Sequence, residues 1–228
     1  MQNTNMKSGI SIQVSLSGYS FKVEGESSRG SADWIPGSDI FTTPEFQKRY
    51  EEVEISLFTP KFTLVPSHFH HPLHARKMLE EVVNVAENDL VEFVEVPECA
   101  AVLIYSNTIG ETLSKVISES VLKLDGAKAN PLPEAYYLLK QIPQIQEYNK
   151  IIASYMDGHL YLVIAQGRSL LLCNSFQAPD FTTAEYFIFM AMKKLQLNPE
   201  VSTICFRTEL QEDQEMSLYR YFKNVEQI

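Results

Sequence analysis

The sequence predicts an α/β protein made of two tandem units, each with a mixed β-sheet flanked by helices. Two observations lead to this prediction. Segments in which apolar and polar residues alternate precede segments with helical spacing of apolar residues, and this order occurs twice along the chain. The 228 residues also suffice for two small domains. We place the N-terminal half at residues 1–130 and the C-terminal half at residues 131–228.

A hairpin is the first predicted structure of the N-terminal half. Apolar and polar residues alternate over 10–16 and again over 19–24, and Ser17-Gly18 supplies the turn. Pro72 opens a helix, because the first helical position needs no N–H donor. That helix carries the apolar stripe Ala75, Met78, Leu79, Val82, Val83 and Ala86. The other predicted segments are a Gly-, Ser- and Pro-rich loop at 26–44, strands at 51–58, 61–65, 91–96 and 100–105, and a helix at 109–121.

Asp157-Gly158 is a strong turn signal in the C-terminal half, because this dipeptide suits the two-residue turn of a hairpin. Thr182, followed by Glu185 three residues later, predicts a capping box that starts a helix. The other predicted segments are a connection at 124–133, a helix at 134–141, strands at 150–156, 159–165, 169–176 and 201–206, and a final helix with the stripe Leu218, Tyr219, Phe222 and Val225.

The order of elements resembles the ribonuclease H-like fold, in which three antiparallel strands cross through a helix to a parallel strand. Two such units in tandem resemble the actin-like ATPase superfamily. The chain also resembles, more narrowly, a bacterial family of unknown function to which that fold is assigned. The segments that carry this resemblance are LLLCNSF at 170–176, TAEYF at 183–187, YRYFKNV at 219–225 and TLVP at 63–66. The resemblance implies a fold and not an activity.

Actin-like ATPases carry an acidic residue near the end of the first strand of each unit, followed by a glycine-containing turn whose N–H groups hold phosphate. The matching cofactor-binding positions here are Ser15, Ser17 and Gly18 in the first half and Asp157 and Gly158 in the second. Ser15 stands where a carboxylate is expected, and so does Ser154 in one alignment of the second half. An alignment shifted by three residues places Asp157 there, although Asp157 is more simply a residue of the hairpin turn. A hydroxyl lacks the charge that holds a divalent cation. The resemblance therefore implies degenerate phosphate loops.

Four of the five histidines lie within seven residues, at His68, His70, His71 and His74. Imidazole is a common metal ligand, and a loop leading into a helix can bring several together. The spacing matches no HExxH motif, and Pro72 breaks the regular geometry between His70 and His74. Two alternatives follow: a metal site formed by the four histidines, or a polar loop and helix N-terminus.

Aromatic residues cover more than one face of the helix predicted after residue 182. Tyr186, Phe187 and Phe189 are followed by Met190. Aromatic residues at helical spacing most often belong to the core. Either both faces of this helix are buried, or one face meets a partner. The acidic run at 209–215 is interpreted as a solvated loop and helix N-terminus.

The composition constrains the partners and the compartment. A net charge of -10 and a pI of about 5.0 disfavour nucleic acid and anionic membranes as general partners. No apolar stretch approaches the roughly 20 residues of a membrane span. We expect another protein as the partner and the cytoplasm as the compartment. The cysteines, Cys99, Cys173 and Cys205, are expected to be reduced and buried.

The function predicted from these observations is a non-catalytic actin-like binding or scaffold protein, and an enzymatic activity is not expected. No cofactor is expected either, because serines stand where the ATPase carboxylates belong. Two alternatives stay open: an ATP-binding switch or ATPase that uses Mg²⁺ and divergent phosphate loops, and a metal-binding protein that uses the histidine cluster.

Overall fold

The protein is described by a computed structural model, which covers residues 8–15, 18–23, 34–107 and 113–228. The chain divides into two compact units. The first unit consists of Met1–Thr59 and Asn107–Pro133, and the second of Pro60–Ser106 and Glu134–Ile228.

The described strands, in chain order, are β1 (Gly9–Val14), β2 (Gly18–Val23), β3 (Ile35–Pro36), β4 (Arg49–Tyr50), β5 (Glu52–Leu57), β6 (Phe62–Pro66), β7 (Val91–Val96), β8 (Ala101–Ser106), β9 (Leu122–Lys123), β10 (Leu132–Pro133), β11 (Asn149–Met156), β12 (His159–Gln166), β13 (Ser169–Gln177), β14 (Thr203–Phe206) and β15 (Asn224–Gln227). The described α-helices are α1 (Ala75–Glu80), α2 (Leu113–Ser120), α3 (Glu134–Gln141), α4 (Phe181–Lys194) and α5 (Glu212–Tyr219).

The main sheet of the first unit has the strand order β3-β2-β1-β5-β10. Strand β2 runs antiparallel to both β1 and β3, whereas β5 runs parallel to both β1 and β10. Ile10, Ile12 and Val14 of β1 are buried, which explains the alternating pattern of this segment. The helix predicted at 109–121 is described from Leu113 onwards, and residues 108–112 lie outside the described residues.

The main sheet of the second unit has the order β13-β12-β11-β14-β15 and repeats the first sheet strand for strand. Strand β12 runs antiparallel to β11 and β13, and β14 runs parallel to β11 and β15. Helices α4 and α5 provide the crossovers to β14 and β15. Ile188 and Met192 of α4 share one buried cluster with Ile151 and Leu162 of the sheet. The predicted pair of mixed sheets is therefore confirmed.

Residues 60–106 form a module inserted between β5 and α2. Its antiparallel sheet has the order β6-β8-β7. Leu79 of α1 is buried against Val102 and Ile104 of β8. All six residues of β8 are buried, which confirms the predicted central position of this strand.

Because of the inserted module, the residues of the two observed units differ from those of the two predicted halves. The module belongs to the second unit, so the chain leaves the first unit after Thr59 and returns to it at Asn107. It passes to the second unit again between Pro133 and Glu134, close to the predicted boundary after residue 130. The alternating pattern identifies a strand but not the sheet that it joins, because pairing depends on residues distant in sequence.

Helix α4 begins two residues earlier than the predicted capping box implies, at Phe181 instead of Thr183. Asp180 is the N-cap, and its carboxylate oxygen accepts a hydrogen bond from the Thr183 amide at 2.7 Å. The prediction that Thr182 caps the helix was therefore wrong. Asp180 has the extended backbone and the short acidic side chain that an N-cap requires.

Two predicted helices end earlier than their apolar stripes suggest. Helix α1 ends at Glu80, so Val82 lies beyond it. Helix α5 ends at Tyr219, Phe222 follows the helix, and Val225 belongs to β15. Phe222 and Val225 still reach the same core cluster as α5. Their spacing also fits a longer helix. A turn followed by a strand can bury residues at the same positions that a continued helix would bury.

Replacing Asp180 by alanine is expected to lower the melting temperature by roughly 2–4 °C, because the Thr183 amide loses its acceptor. The hydrogen bond from Thr183 lowers the pKa of Asp180 below its ordinary value. The contribution of this cap is therefore present above the unfolded-state pKa and is lost as the pH falls through the folded-state pKa. Differential scanning calorimetry measures the effect, with Asp180→Asn as the matched control. Identical melting temperatures for the native and alanine proteins would contradict the cap.

Candidate functional site

Ser15 and Gly18, two of the predicted phosphate-loop residues, lie where β1 turns into β2, and Ser17 lies outside the described residues. Ser15 is buried, and its amide donates to the Gly18 carbonyl at 2.9 Å. A Cβ atom on Gly18 would lie 2.1 Å from the carbonyl oxygen of Ile35 in β3. Glycine is therefore required here for the close approach of two strands, independently of any ligand.

Replacing Gly18 by alanine is expected to destabilise the protein by at least about 2 kcal/mol, because the new methyl group would overlap the β3 backbone. Urea denaturation followed by far-UV circular dichroism measures the change in the free energy of unfolding. Gly37→Ala is a matched control, since its Cβ would meet only the flexible side-chain end of Leu113 at 3.3 Å. A neutral effect of Gly18→Ala would show that the strands can separate at this point.

Asp157 and Gly158 form the turn between β11 and β12, as predicted. Their φ angles are 50° and 69°, the left-handed values that a two-residue hairpin turn requires. Asp157 is exposed at the tip. The Gly158 carbonyl accepts a hydrogen bond from the Ala178 amide at 2.8 Å, and His159 Nδ1 lies 2.9 Å from the Asp157 carbonyl oxygen. The turn residues thus have a role within the second sheet.

Ser154, the alternative acidic position of the second unit, lies in a buried ionic network. Its side chain is fully buried on β11, and its hydroxyl donates to Glu134 Oε1. Glu134 is the first residue of α3 and is also fully buried. The other carboxylate oxygen, Oε2, accepts a hydrogen bond from an Arg207 guanidinium nitrogen at 2.6 Å. Ser154 is therefore hydrogen-bonded to a carboxylate that is already paired.

Arg207 follows β14 directly and completes the network. Its side chain is only 8% exposed. The guanidinium carbon lies 4.6 Å from the ring centroid of Tyr137, which is a cation–π distance. Burial lowers the pKa of Arg207 to about 10, so the side chain stays charged at neutral pH. Its amide donates to the Ala153 carbonyl at 2.9 Å, which fixes the backbone beside Ser154.

Further polar groups lie near this network. The Tyr155 amide donates to the Thr208 hydroxyl at 2.9 Å, which ties β11 to the segment after β14. Burial raises the pKa of Tyr161 well above its ordinary value, and the charges of Glu134 and Asp157 raise it further. Tyr161 therefore stays protonated at neutral pH. Chemically, the arrangement provides a carboxylate, away from solvent, that accepts hydrogen bonds from a hydroxyl and from a guanidinium.

Glu134 and Arg207 are the members of this network that the sequence patterns did not identify. Each lies at the end of a correctly predicted element, since Glu134 begins a helix and Arg207 follows a strand. The two residues are 73 positions apart, and no local pattern relates them. The available signal was a charged residue next to each of two apolar segments.

The four histidines lie on the segment that leads into α1. His71 and His74 contact each other, whereas His68 and His70 each contact a phenylalanine ring. His71 Nδ1 accepts a hydrogen bond from the Leu73 amide at 3.3 Å, and the His71 and His74 rings are 5.1 Å apart. His70 packs on Phe93 with ring centroids 4.6 Å apart. Within the described part of the chain, no three or more His, Cys, Asp or Glu side chains are grouped to hold a metal ion. The contacts of His71 match the alternative of a polar helix N-terminus.

The three cysteines are free thiols, and Cys205 is buried as predicted, whereas Cys99 and Cys173 are only partly buried. Burial raises the pKa of both Cys173 and Cys205 to about 12 and raises that of Cys99 above its ordinary value. The raised pKa keeps these thiols protonated at neutral pH, and the thiolate is the reactive form. In the described ranges, no helix has the length and apolar character that a bilayer crossing demands.

Known families and structures resemble this chain over most of its length. A family model described as "Protein of unknown function (DUF3822)" matches residues 37–225. A crystal structure from Bacteroides thetaiotaomicron, described as a protein with actin-like ATPase fold and unknown function, is 17% identical, with a TM-score of 0.67 over 100% of this chain and 94% of that chain. A weaker similarity, with 12% identity and a TM-score of 0.48, links 96% of this chain to 88% of a chain in the PilM-PilN type IV pilus biogenesis complex. No curated protein matches significantly. The first structure confirms the predicted actin-like fold.

Proposed function

The chain belongs to the DUF3822 family of proteins of unknown function, and we propose that it is a non-catalytic binding or scaffold protein with an actin-like fold. The proposal includes the lack of a functional ATP and Mg²⁺ site. One observation carries it. Ser154, which one alignment places where the second unit of an actin-like ATPase needs a carboxylate, is buried and donates its hydroxyl to Glu134, which Arg207 neutralises.

Electrostatics supports this interpretation. A Mg²⁺ ion requires oxygen ligands in near-octahedral geometry and is usually bound through one or two carboxylates. The carboxylate nearest Ser154 already accepts hydrogen bonds from a hydroxyl and a guanidinium. A cation at this carboxylate would stand beside the positive charge of Arg207, and repulsion between like charges in a buried position is strong. Binding of a cation would therefore require the network to open.

Isothermal titration calorimetry of the full chain with ATP and Mg²⁺ tests the proposal. We expect no saturable heat up to about 1 mM ATP, which corresponds to a binding free energy weaker than about -4 kcal/mol. We also expect no phosphate release above the rate in buffer. Micromolar binding with hydrolysis would overturn the proposal. Micromolar binding without hydrolysis would replace it with the nucleotide-dependent switch.

The proposed partner is another protein, because a net charge of -10 opposes general binding of nucleic acid.

The histidine metal site is tested separately by titration with Zn²⁺. A structural zinc site needs four ligands and a catalytic site at least three. We expect weak binding that the double substitution His70→Ala/His74→Ala leaves unchanged. Stoichiometric binding lost in that variant would support the metal-binding alternative.

A further inference from the structure

Exposed aromatic and basic side chains lie together on helix α4 and after helix α5. We call this group the basic–aromatic surface, and its exposed members are Tyr186, Lys193, Lys194, Arg220, Tyr221 and Lys223. Phe189 is partly buried against the core and connects the two segments through its ring contact with Tyr221. It is one face of the aromatic-rich helix for which the sequence left open either burial or a partner. All of these residues belong to the second unit.

The geometry of α4 brings the aromatic and basic groups together. Tyr186, Phe189 and Lys193 follow one another at helical spacing of three and four residues, so they share one face. The opposite face packs into the core through Ala184, Ile188, Ala191 and Met192. The Phe189 ring lies edge-to-face on Tyr221, with centroids 4.9 Å apart. Tyr186 is 62% exposed and Tyr221 is 52% exposed, so both rings present apolar area to solvent.

The basic side chains of this surface are unpaired within the described residues. Lys193, Lys194, Arg220 and Lys223 make no ion pair or side-chain hydrogen bond with any residue that the structure describes. Four other basic residues of the second unit have acidic partners, namely Lys61, Arg76, Lys140 and Arg207, whereas the exposed Lys77 and Arg168 pair with no acidic residue that the structure describes. The surface therefore carries four basic side chains without an acidic partner among the described residues, on a chain whose net charge is -10.

We propose that the basic–aromatic surface binds an acidic segment of a partner protein. Carboxylates of the segment would pair with the lysine and arginine side chains, and apolar side chains would pack on Tyr186 and Tyr221. Charge complementarity favours an acidic occupant, and tyrosine and arginine are the residues that concentrate binding energy in protein interfaces. Nucleic acid is disfavoured because the rest of the chain would repel its backbone. The inference extends the proposed binding role but does not depend on the Ser154 network.

Fluorescence anisotropy with a labelled peptide of about 12 residues, a repeat of Glu-Glu-Leu, tests the proposal on the full chain. We expect saturable binding that weakens at least about tenfold in the variant Lys193→Glu/Arg220→Glu, and severalfold in Tyr221→Ala. The matched control is Lys77→Glu/Arg168→Glu, which changes the net charge equally at two other exposed positions of the second unit. We expect the control to bind as the native protein does.

Several results would overturn this inference. They are a lack of saturable binding up to about 1 mM peptide, an equal loss of affinity in the control, and equal affinity for an oligothymidine of the same charge. Concentration-dependent self-association that only the surface variant abolishes would assign the surface to a second copy of the chain instead. Circular dichroism establishes that each variant is folded. None of these results bears on ATP binding, so the proposed lack of catalysis is judged independently.

Discussion

Replacing Arg207 by methionine is expected to lower the free energy of unfolding by about 3–5 kcal/mol. Methionine fills much of the same volume but leaves the Glu134 carboxylate buried without its positive partner. Removing one member of a buried ion pair exposes the full desolvation penalty of the other. Urea denaturation at pH 7, monitored by far-UV circular dichroism, measures the change.

The double variant Glu134→Gln/Arg207→Met is the matched control for this prediction. The glutamine oxygen can still accept the hydrogen bond of Ser154, and the network itself no longer contains a charged group. We expect the double variant to recover most of the loss and to lie within about 2 kcal/mol of the native protein. If Arg207→Met alone were neutral, the ion pair would be open to solvent and the network would not be a buried element of the fold.

Replacing Ser154 by aspartate is expected to destabilise the protein by about 3 kcal/mol or more at pH 8. The substitution introduces the carboxylate that one alignment with actin-like ATPases places at this position, but it sets that group against Glu134. Two carboxylates that share a buried site cannot both be ionised, so the pKa of the introduced group rises in the folded state. The stability deficit therefore shrinks as the pH falls from 8 to 5, because the native state then binds the extra proton.

Ser154→Ala separates the effect of charge from the loss of one hydrogen bond. We expect this variant to lose about 1–2 kcal/mol, with little dependence on pH. Addition of Mg²⁺ is expected to leave the stability of Ser154→Asp unchanged. A variant that Mg²⁺ restores to native stability would reveal a latent cation site at this position and would contradict the proposed structural role of the network.

Local patterns were sufficient to predict most of the fold. Strands β1, β11 and β12 and helix α3 were predicted within about two residues, because alternation and helical spacing depend on neighbouring residues. The end of α5 was not predicted, since Phe222 and Val225 reach the core from outside the helix. The grouping of residues 60–106 with the second unit depends on contacts distant in sequence.

The candidate site was predicted only in part. Ser154 was identified through the resemblance to actin-like ATPases, which marks the end of the first strand of each unit. Glu134 and Arg207 were missed, because their ion pair joins α3 to the segment after β14 across 73 positions. A buried charge pair of this kind produces no periodic pattern in the sequence. In the sequence, its two members look like the polar residues that commonly occur at the ends of helices and strands.

Hydrogen–deuterium exchange of the native protein, with and without ATP and Mg²⁺, is the most direct test of whether nucleotide engages these positions. If Ser154 belongs to a closed internal network, exchange across β11 and the Asp157-Gly158 turn will be the same in both conditions. Protection of the Ser154–Gly158 amides that appears only with nucleotide and metal would mean that this segment holds phosphate, and the protein would then have to be regarded as an ATP-binding member of the fold.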